Sequence, residues 1–167
     1  VGRADGDVRI RSLAGNVRVD EIFAGGQTVI AALAGSVVDG AGGEILNIVT
    51  GNLTITAASS IGTADDALEA ELTGPERRLV LQAGGHVNAA IHGGNVELVQ
   101  AVALNGSIVL DIVEGGLFLA GSMAGETALP AIAASEHVVL GVAGAITGAA
   151  GHAADIVAGG HLDLAAI

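Results

Sequence analysis

The densest cluster of potentially reactive side chains in this chain is Asp65-Asp66-Ala67-Leu68-Glu69-Ala70-Glu71, followed closely by Arg77 and Arg78. Carboxylate oxygens at such short spacing suit a hard cation, and Asp65, Asp66 and Glu69 are the candidate ligands for Ca²⁺. Neither a Gly-Gly-x-Gly-x-Asp repeat nor EF-hand spacing accompanies them, so a solvated acidic loop is the simpler reading. To cleave a polysaccharide with the help of Arg77 and Arg78, these acids would have to converge with a base on one face of the fold. An acidic loop beside two arginines does not ensure that.

Histidine offers little more. His86, His92, His137, His152 and His161 mostly fall at turn or loop positions, where a solvated corner imidazole is the ordinary reading. His86 and His92 flank one short strand and are the pair that could meet at a metal. The chain has no Cys, which removes thiolate ligands and disulfides. No serine sits in a Gly-x-Ser-x-Gly elbow. The Gly-rich turns form neither a P-loop nor a dinucleotide fingerprint, and the chain has no Lys to complete the former. We assign no catalytic residue, expect no cofactor beyond the Ca²⁺ candidate, and read the chain as a non-enzyme.

Recognition through surfaces is the other possibility. Sugar stacking needs exposed rings, and the chain has two Phe, Phe23 and Phe118, with no Trp or Tyr. Val80, Val109, Phe118 and Val139 fill the middle position of apolar alternating segments and should point outward. Such an apolar row calls for a cover. A long loop is the plainer one; a neighbouring chain or another part of the same protein is the alternative.

Charge narrows the partners. Six basic residues, all Arg, stand against eighteen acidic ones for a formal net charge of -12, a surface that repels nucleic acid and anionic membranes. Arg3, Arg9, Arg11 and Arg18 are interleaved with Asp5, Asp7, Asp20 and Glu21 and read as a mixed-charge solvated face. No formal charge lies between Glu136 and Asp155, but Gly141, Gly144, Gly148 and Gly151 with His137 and His152 interrupt that stretch, so it is not read as a membrane span. The chain opens on Val and reads as a piece of a longer protein, which leaves the secretion route open.

The elements that must position these residues are short and repeated. Gly6-Asp7-Val8-Arg9-Ile10, Gly15-Asn16-Val17-Arg18-Val19, Gly26-Gln27-Thr28-Val29-Ile30 and Gly51-Asn52-Leu53-Thr54-Ile55 each place a turn residue before a period-two apolar alternation. The same unit returns at Leu79-Val80-Leu81, Gly85-His86-Val87, Val96 to Leu98, Ile108 to Leu110, Leu117 to Leu119, Val138 to Leu140 and Leu162 to Leu164. Two units make one turn of a β-solenoid, as in the steps from Val8 to Val29 and from Val96 to Leu117. The fold class expected is all-β, a parallel β-solenoid of about eight coils with roughly 20 residues each, forming one segment over residues 1–167. Residues 57–75 and 122–135 are expected as loop excursions, and residues 52–63 align without gaps on 137–148 as a longer repeat. Stacked coils explain the aliphatic, ring-poor composition. An antiparallel sandwich would call for more aromatic core and less regular turns.

Gly159-Gly160-His161-Leu162-Asp163-Leu164, the run Ser60-Ile61-Gly62-Thr63-Ala64-Asp65 with Leu68 after it, and Gly144-Ala145-Ile146-Thr147 resemble the β-helical repeat regions of filamentous haemagglutinin-like proteins and other giant bacterial surface adhesins. The resemblance implies a right-handed β-helix, an extracellular or cell-surface location, and a stalk, spacer or filament role. The Asn-Pro-Asn motif of the secretion domain of such proteins is missing, so this piece would be shaft. Expected partners are neighbouring repeats or copies of the chain, stacked end to end or side by side. The alternative is a ligand-binding module whose loops 57–75 or 122–135 grip a host or matrix ligand.

Overall fold

Strands of three to eight residues gain little alone, and in this protein all but the two of one hairpin are laid against a counterpart one turn away. The computed structural model describes residues 2–43, 45–124, 127–149 and 156–166. The first turn holds β1 (Gly2–Ala4), β2 (Val8–Ser12) and β3 (Val17–Val19), and the second β4 (Ile22–Ala24), β5 (Gln27–Ala32) and β6 (Val37–Asp39). Next come β7 (Ile48–Thr50) and β8 (Asn52–Ala57) with the single rung Ile61, then β9 (Leu68–Leu72) and β10 (Arg78–Ala83). After these come β11 (Val87–His92), the eight-residue β12 (Val96–Ala103) and β13 (Ile108–Ile112). The remaining strands are β14 (Leu117–Leu119), β15 (Ser122–Ala124), β16 (Thr127–Leu129), β17 (Ile132–Ala134), β18 (Val138–Val142), β19 (Ile146–Gly148), β20 (Ile156–Ala158) and β21 (Leu162–Ala166).

One sheet runs β1-β4-β7-β9-β11-β13-β18-β21, and a second runs β2-β5-β8-β10-β12 before dividing into β14-β19 and β17-β20. A shorter ladder joins β3 to β6 and, through Ile61, to Val87 at the start of β11. Every described pairing in these ladders is parallel, which makes the fold an all-β solenoid of about seven turns with rungs about 22 residues apart. An antiparallel sandwich is thereby ruled out. Among the described residues the one antiparallel pair is the β15–β16 hairpin.

Period-two alternation puts every second residue inside. Ile22, Ile48, Ala70, Ile91, Ile112 and Val142 form one buried column, and Ile30, Ile55, Leu81, Ala101 and Ile132 another. Each fully buried Ile or Leu contributes roughly 1.5–3 kcal/mol by leaving water. A core this thin has no room for rings, which accounts for the composition.

Three expectations need correction. Val8 pairs with Thr28, not Val29, so Thr28 is the inward residue and Val29 faces out. A slip of one residue reverses the faces of a strand, and Thr28 is tolerated inside because its hydroxyl donates to Thr50 Oγ1 at 3.0 Å. The excursion expected over 57–75 is much shorter, because Leu68, Ala70 and Leu72 are buried rungs of the first sheet. Finally, 52–63 and 137–148 are not equivalent: β8 lies in the second sheet and β18 in the first. The excursion near 122–135 is the hairpin, after which β17 rejoins the ladder against Ala101–Ala103.

Candidate functional site

The acidic cluster is dispersed by the fold. Asp65 and Asp66 occupy an exposed turn closed by the Thr63 N–H donating to Asp66 O at 2.8 Å. Glu69, next in sequence, is a buried member of β9. Arg77 and Arg78 lie past the other end of that strand, where Arg77 Nε donates to Leu72 O at 3.1 Å and Arg78 pairs with Glu97 at 3.3 Å. Among the described residues no three His, Asp or Glu groups come together as metal donors. Strand β9 therefore separates the acids from the bases that a cleavage site would need to bring together. His86 and His92 likewise lie at opposite ends of β11 and do not meet. His152 lies outside the described residues.

The outward residues do not make one row. Val109 and Val139 stack on each other on the first sheet, whereas Val80 and Phe118 belong to the second, in different columns. Phe118 retains 41% of its exposure. Val80 lies between Thr54 and Gln100 and is half-buried. Residues 68–72, expected within a covering loop, are themselves a rung.

What the stacking does assemble is a polar row along one corner. Ser36 N–H donates to Asn16 Oδ1 at 2.9 Å, Ser60 N–H to Ser36 Oγ at 3.2 Å, and His86 N–H to Ser60 Oγ at 3.1 Å. The series continues with Ser107 N–H to His86 Nδ1 at 3.0 Å, His137 N–H to Ser107 Oγ at 3.3 Å, and His161 N–H to His137 Nδ1 at 3.0 Å. Each turn thus offers one side-chain acceptor to the backbone of the next. The rings of His137 and His161 are stacked, with centroids 5.1 Å apart and planes 8° from parallel. A second corner repeats the device in part, with Asp7, Asn52 and Asn95 accepting from the N–H groups of Gln27, Arg78 and Gly116. These bonds satisfy amides that the chain frees where it turns.

A buried polar knot supports the early turns. Asn47 is fully buried; its Nδ2 donates to Val19 O at 3.1 Å and to Asp39 Oδ1, and its Oδ1 accepts from Glu69 N–H at 3.0 Å. Asp39 also accepts from the Ala41 and Gly42 amides at 2.6 and 3.0 Å. Asn47 so mends the ladder where the chain leaves it between β6 and β7.

Two surface features remain. A groove of about 590 Å³ follows the corner row, lined by Ser36, Ser60, His86 and Ser107 on its polar side and by Val38 and Val109 on its apolar side. The second feature is a seam in the second sheet. Pairing of β10 with β12 skips Val99. One turn later the chain between β14 and β17 leaves at that place to form the hairpin, and after another turn β19 ends at Gly148 and β20 begins at Ile156 on the two sides of the same line. Phe118 and the 46%-exposed Val157 flank this line.

The corner row had a signal in the sequence: the residue just before the first inward apolar residue is Asn16, Ser36, Ser60, His86, Ser107, His137 or His161, in five cases preceded by Gly. Reading the histidines as merely solvated missed it. The polar knot had none, because its members are brought together only by stacking. Comparison with protein-family models, curated proteins and solved structures gave no match.

Proposed function

We propose that this chain is a rigid shaft segment of a long bacterial extracellular or cell-surface protein of the filamentous haemagglutinin-like kind, serving as stalk, spacer or filament element without catalysis. The observation that carries this reading is the stacking itself: every described pairing in the ladders is parallel over about seven turns, so each turn is held by its neighbours along one axis. Rungs of this kind can be continued by neighbouring repeats or by another copy of the chain. Electron microscopy of the parent protein, with an epitope inserted between β15 and β16, tests it. The label should lie along a thin shaft; a label on a compact globular body would refute the proposal.

The seam favours a second reading, in which loops borne on it grip a host or matrix ligand. Binding to arrayed glycans and matrix proteins should then disappear when residues 121–130 are replaced by a short Gly turn. Unchanged binding would defeat it.

A further inference from the structure

We propose that the corner row is an acid-sensitive clasp: protonation of His86 and His137 loosens the later turns of the solenoid while the earlier turns stay closed. The argument rests on which atom accepts. An imidazole whose Nδ1 lone pair receives a backbone N–H must carry its own proton on Nε2. A proton added at Nδ1 sets one donor against another and leaves the Ser107 and His161 amides without their acceptors. The rings are also closely held. A Cβ built on Gly106 would lie 2.7 Å from His86 Nδ1, and one on Gly160 would lie 2.6 Å from His137 Nδ1. Glycine before each recipient amide is what lets the ring approach.

The row is chemically divided along its length. Its earlier acceptors, Asn16, Ser36 and Ser60, do not titrate in this range, whereas the later turns are served by His86 and His137 with Ser107 between them. The charged groups around the rings are few. Glu136 precedes His137 and accepts from Ser107 Oγ at 3.1 Å, and Asp163 lies two residues beyond His161. The turn carrying Asp65 and Asp66 is tied to the strand after His86 through Asn88 Nδ2 and Thr63 O. Among the described residues none of these carboxylates forms an ion pair with a ring; the ion pairs are Arg9–Asp7 and Arg78–Glu97. The stacked His161 would add a second positive charge directly over His137.

The test is backbone amide exchange by NMR on the whole chain at about pH 7.5 and about pH 5.5, on either side of the usual imidazole range, with rates corrected for intrinsic pH dependence. The lower value stays above the isoelectric point of about 4.5. Ser107 and His161 should exchange at least about fivefold faster at the lower pH, and Ser36 and Ser60 should not change. Ring ¹⁵N spectra should report the Nε2–H tautomer for His86 and His137 at the higher pH. The double variant H86N/H137N, which copies the acceptor used at Asn16, should remove the pH response. Equal responses along the row, none at Ser107 and His161, persistence in the double variant, or an Nδ1–H tautomer would each overturn the proposal. If the variant does not fold, the tautomer and exchange measurements on the native chain decide it.

Discussion

Replacing Asn47 with Ala should be among the most damaging single changes available in the early turns. The side chain serves the rung below through Val19 O and the rung above through Glu69 N–H, and it also donates to Asp39. Truncation leaves the buried Glu69 amide unpartnered at about 1–3 kcal/mol and deprives the buried Asp39 carboxylate of a donor, while Val19 O keeps the Gly40 N–H at 2.9 Å. Taking about 3 kcal/mol as the sum, and about 2–4 °C per kcal/mol for a domain of this size, the melting temperature should fall by roughly 9 °C. A water entering the space would recover part of that. Because a solenoid can open turn by turn, calorimetry should be joined by amide exchange at Glu69, whose protection should fall first. A melting temperature within about 1 °C of the native value, with Glu69 still protected, would refute the claim that Asn47 carries the ladder across this gap.

Other substitutions probe other terms. Gly84→Ala should cost about 2 kcal/mol or more, since the added Cβ would collide with the Ala58 carbonyl of the preceding turn; chemical denaturation measures it. Thr28→Val should lie within about 1 kcal/mol of neutral, because Thr50 Oγ1 keeps Gly26 O and Asn52 O as partners at 3.0 and 3.1 Å, and a loss above about 3 kcal/mol would show that the hydroxyl pair matters more than this. Phe118→Ser should change stability by less than about 1 kcal/mol in the same assay, since its ring points away from the core.

Much of the architecture was legible because a solenoid is a local code repeated. The ladder of Val96 on Leu117 followed from spacing alone and is present in the structure. Failures came where composition competed with period. Leu68, Ala70 and Leu72 alternate as a strand should, but the carboxylates among them argued for a loop, and the fold nonetheless buries Glu69 in that strand, with its backbone amide donating to Asn47. Thr28 is the opposite case, a polar residue inside whose partner Thr50 sits 22 residues away. Candidate chemistry was least legible, since acids adjacent in sequence were assigned to a turn and a buried strand, and the residues that do gather lie about one turn apart.

The seam beginning at Val99 separates the residues that hold the stack from those that leave it. On the inner side, rungs on either flank keep their register, Leu98 on Leu119 and Ala103 on Ala134, whatever emerges between them. Closing a flexible loop costs only about 0.6 kcal/mol more for each doubling of its length. The stacked turns can therefore be held constant while insertions along one line of them grow, shrink or change sequence, so that core and loops are under nearly independent constraints.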